Sequence, residues 1–136
     1  ALLVFRRGLV HHGAGVSNRR RRTRILMKQY GRTINLKDDP QIIDRYLAHH
    51  RAIWPEVERG LKSIGIERML IFKLGRQLFM FMETADEFDP ERDFARYEAS
   101  NPRNREWQAL MASMQEPVPN AQPGEWWAEM KLVFTL

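Results

Sequence analysis

From Gln29 onward the apolar side chains keep two different periods, and the order in which the periods alternate predicts the architecture. Residues 29–36 alternate, with Tyr30, Arg32, Ile34 and Leu36 on one side, as in a first strand. Asp38-Asp39-Pro40 then reads as a helix start, an Asp capping free amides and Pro at the first helical position. Beyond it Ile43, Tyr46 or Leu47, His50, Trp54, Val57, Leu61 and Ile64 recur every three or four residues, the spacing of an amphipathic helix. Pro55 interrupts that stripe, because it cannot donate to residue 51 and its ring crowds that carbonyl. A bend or a fresh start is expected there, with Glu56 and Glu58 at the positive helix end.

Gly65 ends this helical piece. Residues 66–74 and 77–84 follow as two strands around a Gly75-Arg76 turn. The second strand sets Leu78, Met80 and Met82 on one face and Phe79 and Phe81 on the other, so both faces need cover. A charged connection from Asp86 to Arg92 leads into a helical region ending near Met114, with Trp107, Leu110, Met111 and Met114 on one stripe. Residues 115–125 are a loop by composition, and a strand is expected from Trp126 or Trp127 to Leu136.

The predicted order, β-α-β-β-α-β, is that of a ferredoxin-like α+β sandwich, a four-stranded antiparallel sheet with helices on one face. Helices cover only one side of it. Phe79 and Phe81 argue against solvent on the other, which points to a homodimer with sheets face to face, a dimeric α/β barrel.

Composition narrows the picture. A length of 136 residues with 43% apolar content fits one domain, and zero cysteines exclude disulfides, thiolate metal sites and cysteine nucleophiles. No stretch of about 20 apolar residues exists, so no membrane span is expected. The net charge of +5 hides two unlike parts. Residues 1–37 hold ten Arg and Lys and no carboxylate, whereas residues 38–136 hold the other twelve bases against all seventeen acids, a net of −5. Residues 1–27 thus read as a basic, disordered extension ahead of a domain at 28–136, and Met27 would be a natural start. Two further readings of the arm stand beside this one. It has the Arg-rich, acid-free composition of an organelle-import peptide, and Arg19 to Arg22 suit phosphate backbone, although the aromatics that base stacking uses are absent. The domain itself is expected to be cytoplasmic and to bind no nucleic acid.

The domain holds two histidines. His50 falls on the apolar stripe, one turn from Tyr46 and one turn from Trp54, and His49 falls toward the flank. A histidine on such a face is more often a core residue than a catalyst. Its company of phenol and indole is also what a small sugar pocket uses, ring faces for C–H surfaces and a few aimed polar groups. Trp54 reads equally as core packing beside Pro55 or as pocket wall. Neither histidine has a partner at metal-ligand spacing, and no P-loop, dinucleotide motif or nucleophile elbow occurs, so no metal and no cofactor is expected. Glu83, inside a strand, is expected to pair with a base.

Tyr46-x-x-x-His50 followed by Arg51-Ala52-Ile53-Trp54-Pro55-Glu56 resembles the hallmark segment of the L-rhamnose mutarotases. The likeness runs over residues 29–136, through Leu61-Lys62-Ser63, the hairpin, Trp107 and Met111, to Val133-Phe134. It implies a cofactor-free isomerase that interconverts the α and β anomers of a 6-deoxy-hexose, L-rhamnose or L-fucose, as a homodimer. His50 matches the proton donor, Tyr46 a substrate-contacting tyrosine and Trp107 the first of a tryptophan pair. Two positions depart: Met69 stands where the family has a tyrosine, and Gln108 where it has the second tryptophan. An imidazole with a pKa near 6.5 suits the proton transfers of ring opening and closing. The fold also admits other occupations, a small monooxygenase or haem-handling protein, or a non-catalytic sugar-binding module.

Overall fold

The computed structural model describes residues 27–136, so the basic arm, residues 1–26, lies outside the described residues. Strand β1 (Lys28–Leu36) occupies the middle of the sheet, pairing antiparallel with β3 (Gln77–Thr84) from Lys28↔Thr84 to Asn35↔Gln77. β2 (Ile66–Leu74) lies on the far side of β3, with its register shifted between Ile66 and Arg68. The other edge of β1 is shared: β4 (Gln115–Glu116) faces Asn35 and Leu36, and β5 (Ala128–Met130) faces Gly31 to Thr33. The order is β2-β3-β1, closed by β4 and β5, an antiparallel ferredoxin-like α+β fold. The two strands of the hairpin fall at the expected residues, and Gly75 takes the positive φ of 60° that a two-residue turn requires.

Each helix opens on a proline at its first turn, where a missing N–H costs nothing. They are α1 (Pro40–Arg51), α2 (Pro55–Ser63), α3 (Pro90–Ser100) and α4 (Pro102–Met114). Asp39, Asp89 and Asn101 accept from backbone amides at the starts of α1, α3 and α4. The stripe read across Pro55 is therefore two helices. Trp54, the residue before proline, is extended (φ −67°, ψ 133°) and caps α2 with no side-chain bond. The second helical region also divides, at Asn101-Pro102, because Pro102 begins a helix and the Asn101 side chain caps it.

The helices cover the face of the sheet that carries Ile34, Leu36, Leu78 and Met82, all at most 1% exposed. Tyr46, Val57, Phe88, Tyr97, Trp107, Met111 and Met114 complete the core from above. Burial of this set is the main driving force for the fold. On the opposite face Phe72 stacks on Phe79 with 57% and 38% of their surfaces exposed. Glu83 meets Arg68 at 3.8 Å, the pairing expected for it.

Two expectations are corrected. The segment read wholly as loop begins with a strand, since Gln115 and Glu116 pair with the end of β1 and Arg76 binds both Glu116 and the Leu36 carbonyl. The last strand is shorter than read. Only Ala128–Met130 pairs, and residues 131–136 leave β1 without a ladder partner. Alternating apolar residues give a chain the preference for a strand, but an edge to pair with completes one.

Candidate active site

The first helix delivers its two aromatic residues because i and i+4 share a face. The Tyr46 and His50 rings lie 4.3 Å apart at 30°. His50 is in the last turn of α1, and its Nδ1 is 2.9 Å from the Tyr46 carbonyl oxygen. A carbonyl only accepts, so Nδ1 carries the hydrogen and the neutral ring has its lone pair on Nε2. Among the described residues nothing hydrogen-bonds Nε2. Burial pushes the imidazole pKa below its usual 6.5; the bond to the Tyr46 carbonyl opposes this, and His49 adds to it.

Tyr46 is almost fully buried, and burial pushes its phenol up to about 12, with a hydrogen bond from Gln115 acting the other way. Gln115 Nε2 is 3.4 Å from the Tyr46 hydroxyl, and Trp126 Nε1 donates to Gln115 Oε1 at 3.1 Å. Trp107 packs edge-on to His50 at 5.5 Å.

These groups line a cavity of about 790 Å³ between helices and sheet, within the range typical of small-molecule sites. Met69, Ile71 and Met80 form an apolar floor on the sheet, and Trp107 and Met111 descend from α4. Tyr46, His50, Met69, Trp107 and Gln108 all reach this cavity. Trp54 does not. It packs against Trp107, 5.1 Å away at 69°, with the Arg103 guanidinium 3.7 Å over its ring. The break at Pro55 explains this, because Trp54 leaves the helical ridge that would have aligned it with His50.

Other lining residues had no part in the sequence-based site. Arg32 brings a cation whose buried Nε has no partner among the described residues, with its guanidinium 5.8 Å and 5.9 Å from the Tyr30 and Phe94 rings. Its place in the alternation beside Ile34 and Leu36 is a signal that could have found it. Gln115 and Trp127 carry no such signal, since their direction depends on how residues 115–127 return to β1. Among the described residues no three His, Cys, Asp or Glu gather as a metal site, and no helix is long and apolar enough to cross a membrane.

A ferredoxin-like domain with an aromatic, histidine-bearing cavity is the class that fold and site define. The L-rhamnose mutarotase family profile matches residues 29–136, and the chain belongs to that family. It is 41% identical over 112 residues to a UPF0734 protein of Dictyostelium discoideum, covering 80% of this chain and 90% of that one. It is 38% identical over 105 residues to an L-fucose mutarotase of Xanthomonas campestris, covering 76% and 83%. Its fold is also that of the crystal structure of an L-rhamnose mutarotase from Formosa agariphila (TM-score 0.56, 21% identity, 80% and 98% covered). A tetracenomycin F2 cyclase from Streptomyces glaucescens shares the fold at TM-score 0.52 and 14% identity, covering 80% and 96%. Sugar isomerisation is thus the activity of the family, and the match favours it over the monooxygenase, haem-handling and sugar-binding readings.

Proposed function

We propose that this protein is a cofactor-free mutarotase that interconverts the α and β anomers of a 6-deoxy-hexose, L-rhamnose or L-fucose, with His50 as its acid–base group. The observation that carries this reading is the state of the imidazole: Nδ1–H is held by the Tyr46 carbonyl, and Nε2 is bare beside an aromatic cavity. Ring opening breaks the O1–H and C1–O5 bonds and forms the C1=O1 double bond and an O5–H bond. His50 Nε2 takes the O1 proton, and the Tyr46 phenol supplies the proton to O5. Rotation about C1–C2 presents the other carbonyl face, and closure reverses both transfers. His50 is thus the acceptor in opening and the donor in closing. Trp107 and the floor at Met69 hold apolar faces of the sugar, with Gln108 at the rim.

The same reading includes a cytoplasmic homodimer. Phe72, Phe79 and Met130 on the open sheet face support it, as do the apolar side chains of Leu132, Val133, Phe134 and Leu136, which none of the described residues covers. A second sheet packed on that face would bury them.

Saturation transfer between the anomeric protons tests the function. Exchange of L-rhamnose or L-fucose faster than in buffer is expected; buffer-rate exchange for both sugars would sink the reading. Met69→Tyr restores the hydroxyl that the family carries and is expected to change the ratio of the two rates.

A further inference from the structure

The cavity holds one hydrogen-bond chain whose direction is dictated by chemistry. The Trp126 indole N–H can only donate, and it lies 3.1 Å from Gln115 Oε1. That contact fixes the amide orientation, since the flipped amide would set two donors against each other. Nε2 is then left facing the Tyr46 hydroxyl at 3.4 Å, and an NH2 group also only donates. The phenol oxygen therefore accepts from Gln115, and its own hydrogen is turned away from Gln115. Gln115 is 4% exposed and is anchored by its backbone in β4, opposite Leu36. Trp126 stands on the segment leading to β5 and lines the same cavity.

We infer that Gln115 is a positioning residue, clamped by Trp126, that commits the Tyr46 hydroxyl to donating into the cavity. The inference rests on the mutarotase reading given above, in which Tyr46 supplies the proton to the ring oxygen. It adds a division of labour set before any sugar binds. The Tyr46 hydroxyl is made a donor by Gln115, and His50 Nε2 is made an acceptor by the Tyr46 carbonyl. It also assigns a task to the 117–127 segment. Through Trp126 that segment controls the acid of the site without supplying it.

Gln115→Glu keeps the shape but turns the amide donor into an acceptor, so the phenol hydrogen is drawn to the carboxylate. Anomer exchange is expected to fall about tenfold in kcat with KM little changed, since the lost contact matters in the transition state. Trp126→Phe frees the amide to flip and is expected to cost roughly three- to tenfold, the size of one hydrogen bond. In a Tyr46→Phe background neither change should reduce the rate further, because no hydroxyl remains to orient. Losses that multiply in that background would overturn the inference. So would a Gln115→Glu enzyme that exchanges at the wild-type rate.

A second readout needs no activity. The Trp126 indole N–H signal, identified by its absence in Trp126→Phe, should move upfield and exchange faster with solvent in Gln115→Met. An unmoved signal would refute the relay even in a protein that exchanges neither sugar. Wild-type exchange at the buffer rate would instead remove the mutarotase reading, and with it the catalytic role given to Gln115, whatever the indole reports.

Discussion

At the scale of single residues, the structure turns a histidine on a helix stripe into a group with a defined protonation pattern. Burial favours the neutral imidazole, so activity that needs a bare Nε2 should hold a plateau at neutral pH. It should fall along an acid limb lying below 6.5, and the Tyr46 phenol, pushed up to about 12, should add no basic limb near neutrality. A rate profile from pH 4.5 to 9 checks both limbs. Stability follows the same group. The unfolded chain takes up this proton near 6.5 and the native imidazole only at lower pH, so the contribution is intact above 6.5 and declines as pH falls toward the native pKa. Denaturant midpoints at pH 7.5 and 5.5, compared with those of His50→Ala, isolate that slope.

Tyr97 supplies a contrasting case. Its hydroxyl is buried with no partner among the described residues, and burial pushes the phenol up to about 12. Removing an unsatisfied buried hydroxyl should leave stability unchanged or raise it by up to about 1 kcal/mol, so Tyr97→Phe is expected to melt no earlier than wild type. Gly60 beside it leaves no room: an added Cβ would sit 2.8 Å from Asn104 Nδ2 and from the Tyr97 ring. Gly60→Ala should destabilise by roughly 1–3 kcal/mol, an overpacking cost visible in its denaturant midpoint.

Among the secondary-structure elements, the sequence was readable where a local rule had no competitor. Alternation defined the hairpin strands to the residue, and Asp39-Pro40 defined the start of α1. Pro55 announced a break. What it did not announce was the consequence for Trp54, which turns out of the His50 ridge and packs against Trp107. The site shows the same division. Tyr46, His50 and Trp107 were legible because i,i+4 geometry and a family motif act locally. Gln115 and Trp126 were not linked, because the bond between them joins residues eleven apart through a loop whose path no period describes. The cap at Asp39 is a measurable part of this local code: Asp39→Ala should cost about 1 kcal/mol, read from denaturant unfolding, with the exchange rate at 25 °C preserved.

For the whole molecule, the described residues cover one face of the sheet and leave the Phe72–Phe79 stack and the apolar end of the chain exposed. A face-to-face dimer removes that exposure. Sedimentation of residues 27–136 is expected to give twice the chain mass, and Phe79→Glu is expected to shift it toward the monomer. A wild-type monomer at micromolar concentration would oppose this arrangement. The family match begins at residue 29, so deletion of residues 1–26 should leave anomer exchange intact.

Whether His50 moves the proton in anomer exchange is read by comparing wild type with His50→Ala by saturation transfer on L-rhamnose and L-fucose. Positioned acid–base catalysis of this kind contributes roughly 10² to 10⁴-fold. A loss of that size is expected in a variant that still folds and still binds sugar. Exchange persisting at the wild-type rate in His50→Ala would contradict that role for His50.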